Sequence, residues 1–301
     1  MKASVCFTPQ SFDFNLTEEE IFFSLKAASG LIENMSKGFV SFFKSSDFDS
    51  NAAEKIYSEN MGLDGGAIMS LLYDQQMNKA SLIRLNETEV IYEANITPPV
   101  YMDTWISIYS SDQNVEIADL PGRTIYSEKC LVKHCSEVLV SNQMTHQEYA
   151  KSFVEIFNNL IFLDNPKHIN NKTFDSIRKL EGGYAKFIKG ITDCLNYMNV
   201  YEIIPYDSKK NIDQLNANLD FPVTPEGKGK NKRTIKALKR DFLVDNVKYD
   251  SVNCEYHYKL ERLDGAAGKG TYYFNRIYFG FFNRIDINNP KIAIAHIGEH
   301  L

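Results

Sequence analysis

Three segments close the chain: CEYHYKLERL, TYYFNRIYFGFF and KIAIAHIGEHL. Each is short and rich in β-branched and aromatic residues, and polar or glycine-bearing stretches separate them (DGAAGKGT, Asp264 to Thr271, and NRIDINNP). Such runs predict three strands joined by turns, and hence a three-stranded antiparallel sheet. AGKGT within the first connection is no phosphate loop, because a strand-like aromatic run follows it where a helix would have to start. It reads as a hairpin loop.

Strand alternation sorts the side chains of this sheet. It places Tyr272, Phe274, Arg276 and Tyr278 on one face of the middle strand, and Tyr273, Asn275, Ile277 and Phe279 on the other. It aligns Ile292, Ile294 and His296 in the last strand, with His300 at the same parity. Three of the six histidines (His257, His296, His300) fall in this region. Imidazole changes charge near neutral pH, and arginine or lysine stabilises a crowded phosphate. Lys259, Arg276, Tyr278, His296 and His300 are therefore the candidate catalytic set for metal-independent cleavage of RNA. Arg276 and Lys259 would bind phosphate, His296 or His300 would shuttle protons, and Tyr278 would orient the substrate. In that chemistry the 2′-OH attacks, a base takes its proton and a guanidinium holds the charge on phosphorus. No metal site or cofactor is expected. His296 and His300 would bring two imidazoles together only on a helix, and their segment reads as strand.

Just upstream, seven of the thirteen residues from Lys228 to Arg240 are basic: Lys228, Lys230, Lys232, Arg233, Lys236, Lys239 and Arg240. With Thr234 to Phe242 read as a helix, Lys232, Lys236, Lys239 and Arg240 share a face suited to a phosphate backbone. Residues 221–301 hold 14 Lys and Arg against 9 Asp and Glu, a net of +5. The other 220 residues hold 19 against 30, a net of −11. Two differently charged parts predict either different partners, RNA or DNA for the basic end and a protein partner for the acidic body, or contact with each other.

The body begins with helical signals. Thr17 and Glu20 form a capping box flanked by Leu16 and Ile21, a second helix covers about 52–61, and Ile68, Leu71 and Leu72 mark a third. From 81 to 141 the runs SLIRL, EVIYEA, TWISIY, VEIADL and EVLVS read as strands, paired antiparallel. Helices return with the Thr145–Glu148 capping box and the stripe Tyr149, Phe153, Ile156, Phe157 and Leu160. They continue through TFDSIRKLEGGYAKFIKGITDCLNYM, where Gly182–Gly183 kinks or splits the helix. The polar, Pro- and Gly-bearing stretch 206–232 reads as a linker.

The order YKLERLDG, NRIYFGFF, KIAIAHIGEHL resembles the C-terminal strands of RelE/ParE-type toxins, in Tyr258–Lys259–Leu260, Arg276–Ile277–Tyr278 and His296–Ile297–Gly298. The likeness covers about 45 residues of the chain, and Glu299–His300–Leu301 stands where the family closes on arginine. The resemblance implies ribosome-associated mRNA cleavage or gyrase inhibition, and a bacterial toxin or antiviral defence context.

The sequence thus predicts an α+β protein, with helices packed against an antiparallel sheet in residues 1–205. A linker, 206–232, leads to a smaller basic α+β domain, 233–301, with a three-stranded antiparallel sheet. Five scattered cysteines without CxxC spacing read as reduced, buried thiols, and the chain as cytoplasmic. No apolar run is long enough for a membrane span, and the start of the chain lacks the apolar core of a signal peptide. The expected function is action on nucleic acid, as a metal-independent ribonuclease. The alternative is a non-catalytic nucleic-acid-binding or protein-assembly component.

Overall fold

The structure is a computed structural model. It describes the chain except residues 37, 60–63, 76, 165–172, 175, 178–181, 227–237, 245, 261–274 and 283–290 and the side chain of Glu59. The molecule is an α+β protein of helices and mixed sheets. It divides into two units, Met1–Asn142 and Gln143–Leu301.

The first unit contains β1 (Lys2–Phe7), α1 (Glu18–Met35), β2 (Val40–Lys44), α2 (Phe48–Glu59), α3 (Gly65–Asp74), β3 (Ser81–Leu82), α4 (Glu87–Ala94), β4 (Val100–Tyr101), β5 (Thr104–Tyr109), β6 (Thr124–Ile125) and α5 (Glu128–Ser141). Its sheet runs β3-β2-β1-β5-β4, with β6 also on β5. All pairs except β4 with β5 are parallel, against the antiparallel pairing expected for this region. The reason lies in burial. Five of the six residues of β1 and all of β5 are buried, so these strands carry apolar runs on both faces, as parallel sheets covered by helices do.

Two predicted strands are helices. EVIYEA is α4, capped by Asn86, whose side chain accepts from the Glu89 amide while Glu89 accepts from the Asn86 amide. EVLVS is the end of α5, whose apolar residues Leu131, Val132, Cys135, Val138 and Leu139 recur at helical spacing. VEIADL is irregular, held by the Thr124 hydroxyl, which accepts from the amides of Ile117 and Ala118.

The second unit contains α6 (His146–Ile156), β7 (Leu160–Phe162), α7 (Gly183–Val200), α8 (Ser208–Asn218), β8 (Val223–Pro225), β9 (Lys239–Val244), β10 (Val247–Asn253), β11 (Tyr256–Lys259), β12 (Asn275–Phe282) and β13 (Lys291–Glu299). The predicted three-stranded antiparallel sheet is β11-β12-β13, widened to β7-β13-β12-β11-β8. β7 joins β13 in parallel, so the residues around 160 belong with the C-terminal sheet and the expected division at 205–233 moves to 142/143. The helix α7 begins at Gly183, with Gly182 in a left-handed conformation before it.

The expected linker 206–232 is structured over 208–218 and 223–225. Asp207 caps α8 by accepting from the Lys210 amide, and the buried Asn211 side chain takes the Ile204 amide and donates to its carbonyl. Polar side chains anchor this helix, which is why its sequence resembles a linker. The predicted helix 234–242 is overturned at its end, where Lys239–Val244 is a strand paired with β10. Its first residues, and the glycine loop 264–271, lie outside the described residues.

Candidate phosphate site on the C-terminal sheet

Residues paired across an antiparallel ladder project to the same face. His257, Tyr278 and His296 are register partners across β11, β12 and β13, and form one row. Lys259, Arg276 and Gly298 form the adjacent row. The four candidate residues within the strands, Lys259, Arg276, Tyr278 and His296, therefore share a face.

His296 reaches that face through a bulge. The register shifts between Tyr278 and Phe279, leaving Ala295 as the extra residue, so Ile292 and Ile294 pair with Phe281 and Phe279 while His296 pairs with Tyr278. The expected common alignment of Ile292, Ile294 and His296 is thus broken, because a bulge re-aims the side chains beyond it. Further along the same face, Phe282, Ala293 and Ala295 pack under Phe242 and Tyr249 of the β9–β10 hairpin. The opposite face carries Tyr258, Ile277 and Ile297, all buried.

Glu226, directly after β8, is the centre of the polar cluster. Tyr278 Oη donates to its Oε2 at 3.2 Å, His257 Nδ1 lies 3.6 Å from Oε2, and His300 Nε2 lies 3.5 Å from Oε1. The Tyr278 ring lies 5.3, 5.9 and 6.4 Å from the rings of His257, His296 and His300. Leu301 N donates to Tyr278 Oη at 3.3 Å. His296 Nε2 donates to the Glu299 carbonyl at 3.0 Å, which fixes its ring.

Arg276 is only 7% exposed, and its Nη1 donates to its neighbour Asn275's carbonyl. Its Nε has no hydrogen-bond partner, and among the described residues no carboxylate lies within ion-pair distance. Burial pulls its pKa below the usual arginine range, against the opposing effects of Tyr278 and Glu226. Arg240, also buried, lies near enough to His296 to disfavour its protonation. Burial is the main cause of the low His296 pKa, partly offset by the Glu299 carbonyl. His257 is pushed down to about 4, chiefly by burial and against the pull of Glu226. Both imidazoles are neutral at pH 7 and available as proton acceptors.

Of the predicted basic run, Lys239 is exposed and Arg240 is buried, both on β9; Lys228, Lys230, Lys232, Arg233 and Lys236 lie outside the described residues. Sequence reasoning missed Glu226 and Thr224, which occupy alternate positions of the segment VTPE. Proline and glycine on either side hid a strand there. Four of the five cysteines are buried and all are free thiols. Among the described residues no group of metal-ligating side chains could hold an ion, and no helix is long and apolar enough to cross a membrane.

Fold and cluster together define an α+β protein whose second unit carries a cationic, imidazole-lined sheet face. Comparison with protein-family models, with curated proteins and with solved structures finds no match.

Proposed function

We propose that the second unit acts on nucleic acid, binding a phosphodiester over the Arg276 face and cleaving RNA without a metal. The observation that carries this reading is the Arg276 guanidinium, buried with no carboxylate partner among the described residues, one row along the sheet face from Tyr278, whose ring meets three imidazoles. A buried cation is costly unless an anion meets it, and phosphate does so through paired N–H donors. Lys259, opposite Arg276, adds charge; His296 or His300 moves protons, Glu226 holds His300 in place, and Tyr278 orients the substrate. The likeness of the last strands to RelE/ParE-type toxins points to the same substrate class, and to a toxin or defence role.

The test uses the full-length protein with labelled RNA and DNA oligonucleotides in EDTA. The wild type should cut RNA, and Arg276→Ala with His300→Gln should lower the rate by about 10²–10³ while circular dichroism is unchanged. Equal cutting by both proteins would discard the assignment. Salt-sensitive binding without cutting would favour the non-catalytic alternative.

A further inference from the structure

The edge of the same sheet holds a second arrangement that the sequence pattern did not reveal. Thr224 on β8 is the register partner of His257 on β11. Its Oγ1 lies 3.0 Å from His257 Nε2. Glu226, two residues further along, projects to the same side, and its Oε2 lies 3.6 Å from His257 Nδ1. A hydroxyl, an imidazole and a carboxylate therefore stand in line, with the imidazole bracketed by positions i and i+2 of the neighbouring strand segment. Nδ1 is buried and has no hydrogen-bond partner, so the carboxylate is the group it faces. At 3.6 Å this contact is longer than a hydrogen bond, as such contacts often are before substrate binds.

The surroundings make the arrangement rigid and open at once. The Asn216 side chain clamps β8 by donating to the Val223 carbonyl at 3.0 Å and accepting from its amide at 2.6 Å. The Glu226 amide donates to the Glu255 carbonyl, extending the pairing past β8. Thr224 is half-buried and the Glu226 side chain 19% exposed, so a substrate can reach the hydroxyl. The unpartnered Nε of Arg276 lies one row further along the shared face, where charge on phosphorus would develop.

We propose that Thr224, His257 and Glu226 form a nucleophile–base–orienter set that attacks a phosphodiester through a covalent phosphothreonyl intermediate. The proposal rests on the reading above for its substrate class. Thr224 Oγ1 forms a bond to phosphorus, its proton passes to His257 Nε2, and the bond from phosphorus to the leaving oxygen breaks. That oxygen keeps the electron pair and takes the proton from the imidazolium, which Glu226 holds in place. Water then gives a proton to His257 and attacks phosphorus, and the Thr224 oxygen leaves and recovers the proton. The route needs no 2′-hydroxyl, so DNA is cut as well as RNA.

The full chain is mixed with bis(4-nitrophenyl) phosphate, an activated phosphodiester, and the release of 4-nitrophenolate is followed beside peptide mass spectrometry. The expected result is a burst stoichiometric with protein and an aryl phosphate on Thr224. Thr224→Val, which keeps the shape, and His257→Asn should give neither, and Thr224→Ser should restore both. On oligonucleotides Thr224→Val should slow cutting by about 10³-fold. A wild type with no burst and no adduct, or a Thr224→Val protein that cuts as fast as the wild type, would overturn the proposal. An adduct on Thr224 in a protein that binds no oligonucleotide would uphold the nucleophile and sink the nucleic-acid reading instead.

Discussion

Arg276 is the residue at which a role in binding and a role in packing make opposite predictions. Its guanidinium has lost water and gained one backbone carbonyl and the longer-range attraction of Glu226 in return, so folding bears a desolvation cost that is only partly offset. Replacing it by Met removes the charge and keeps most of the volume. Arg276→Met is therefore expected to leave stability unchanged or raise it by about 1 kcal/mol, read from the urea midpoint. Oligonucleotide affinity should fall at least about tenfold in a fluorescence anisotropy titration. A fall in stability would show that Arg276 serves the core. At this scale much of the site was legible. Alternation alone put Arg276 and Tyr278 together, and the strand-like tail put Lys259 and His296 near them. Glu226 was not legible, because nothing in the run PVTPEG shows a carboxylate at the end of a strand. Nor was the bulge at Ala295, since an extra residue leaves no mark in an apolar run.

Between residues and elements the outcome followed how local each signal was. Capping boxes at Thr17 and Thr145 announced α1 and α6 correctly, because the box is a contact between neighbours in sequence. The same signal stood at Asn86 and Glu89, but the β-branched content of EVIYEA outweighed it in a propensity reading. Parallel pairing in the first unit could not be read from strands with no polar face. Within the C-terminal sheet, β12 carries a constraint invisible in sequence. A Cβ on Gly280 would collide with the Asn253 carbonyl at the end of β10. The backbone cannot yield cheaply there, because Asn253 continues into Cys254, whose amide donates to the Leu238 carbonyl. Gly280→Ala should thus destabilise the second unit by about 1–3 kcal/mol, through displacement of β10 from β12. Hydrogen exchange of the β10 amides should rise together with the loss in urea midpoint. An unchanged midpoint would mean that β10 is not fixed against β12.

For the whole molecule, charge follows the structural division. Residues 1–142 hold 10 Lys and Arg against 20 Asp and Glu, and residues 143–301 hold 23 against 19, giving nets of −10 and +4. The asymmetry was legible in sequence because charge is additive, whereas the boundary was not, because β7 and β8 joined a sheet formed mostly by later residues. A polyanion approaching the second unit is attracted by that unit and repelled by the tethered acidic one. The fragment 143–301 should therefore bind a single-stranded RNA more tightly than the full chain in dilute buffer. The gap should shrink as salt rises toward about 0.5 M, where screening reaches only a few ångströms. A site-local contribution from Arg276 and Lys259 would be the same in both proteins, so the fragment's log affinity should fall more steeply with log salt than the full chain's, whose repulsion is screened at the same time. Anisotropy titrations of both proteins across a salt series measure this directly. Equal affinities at low salt would mean that the acidic unit exerts no field at the binding face.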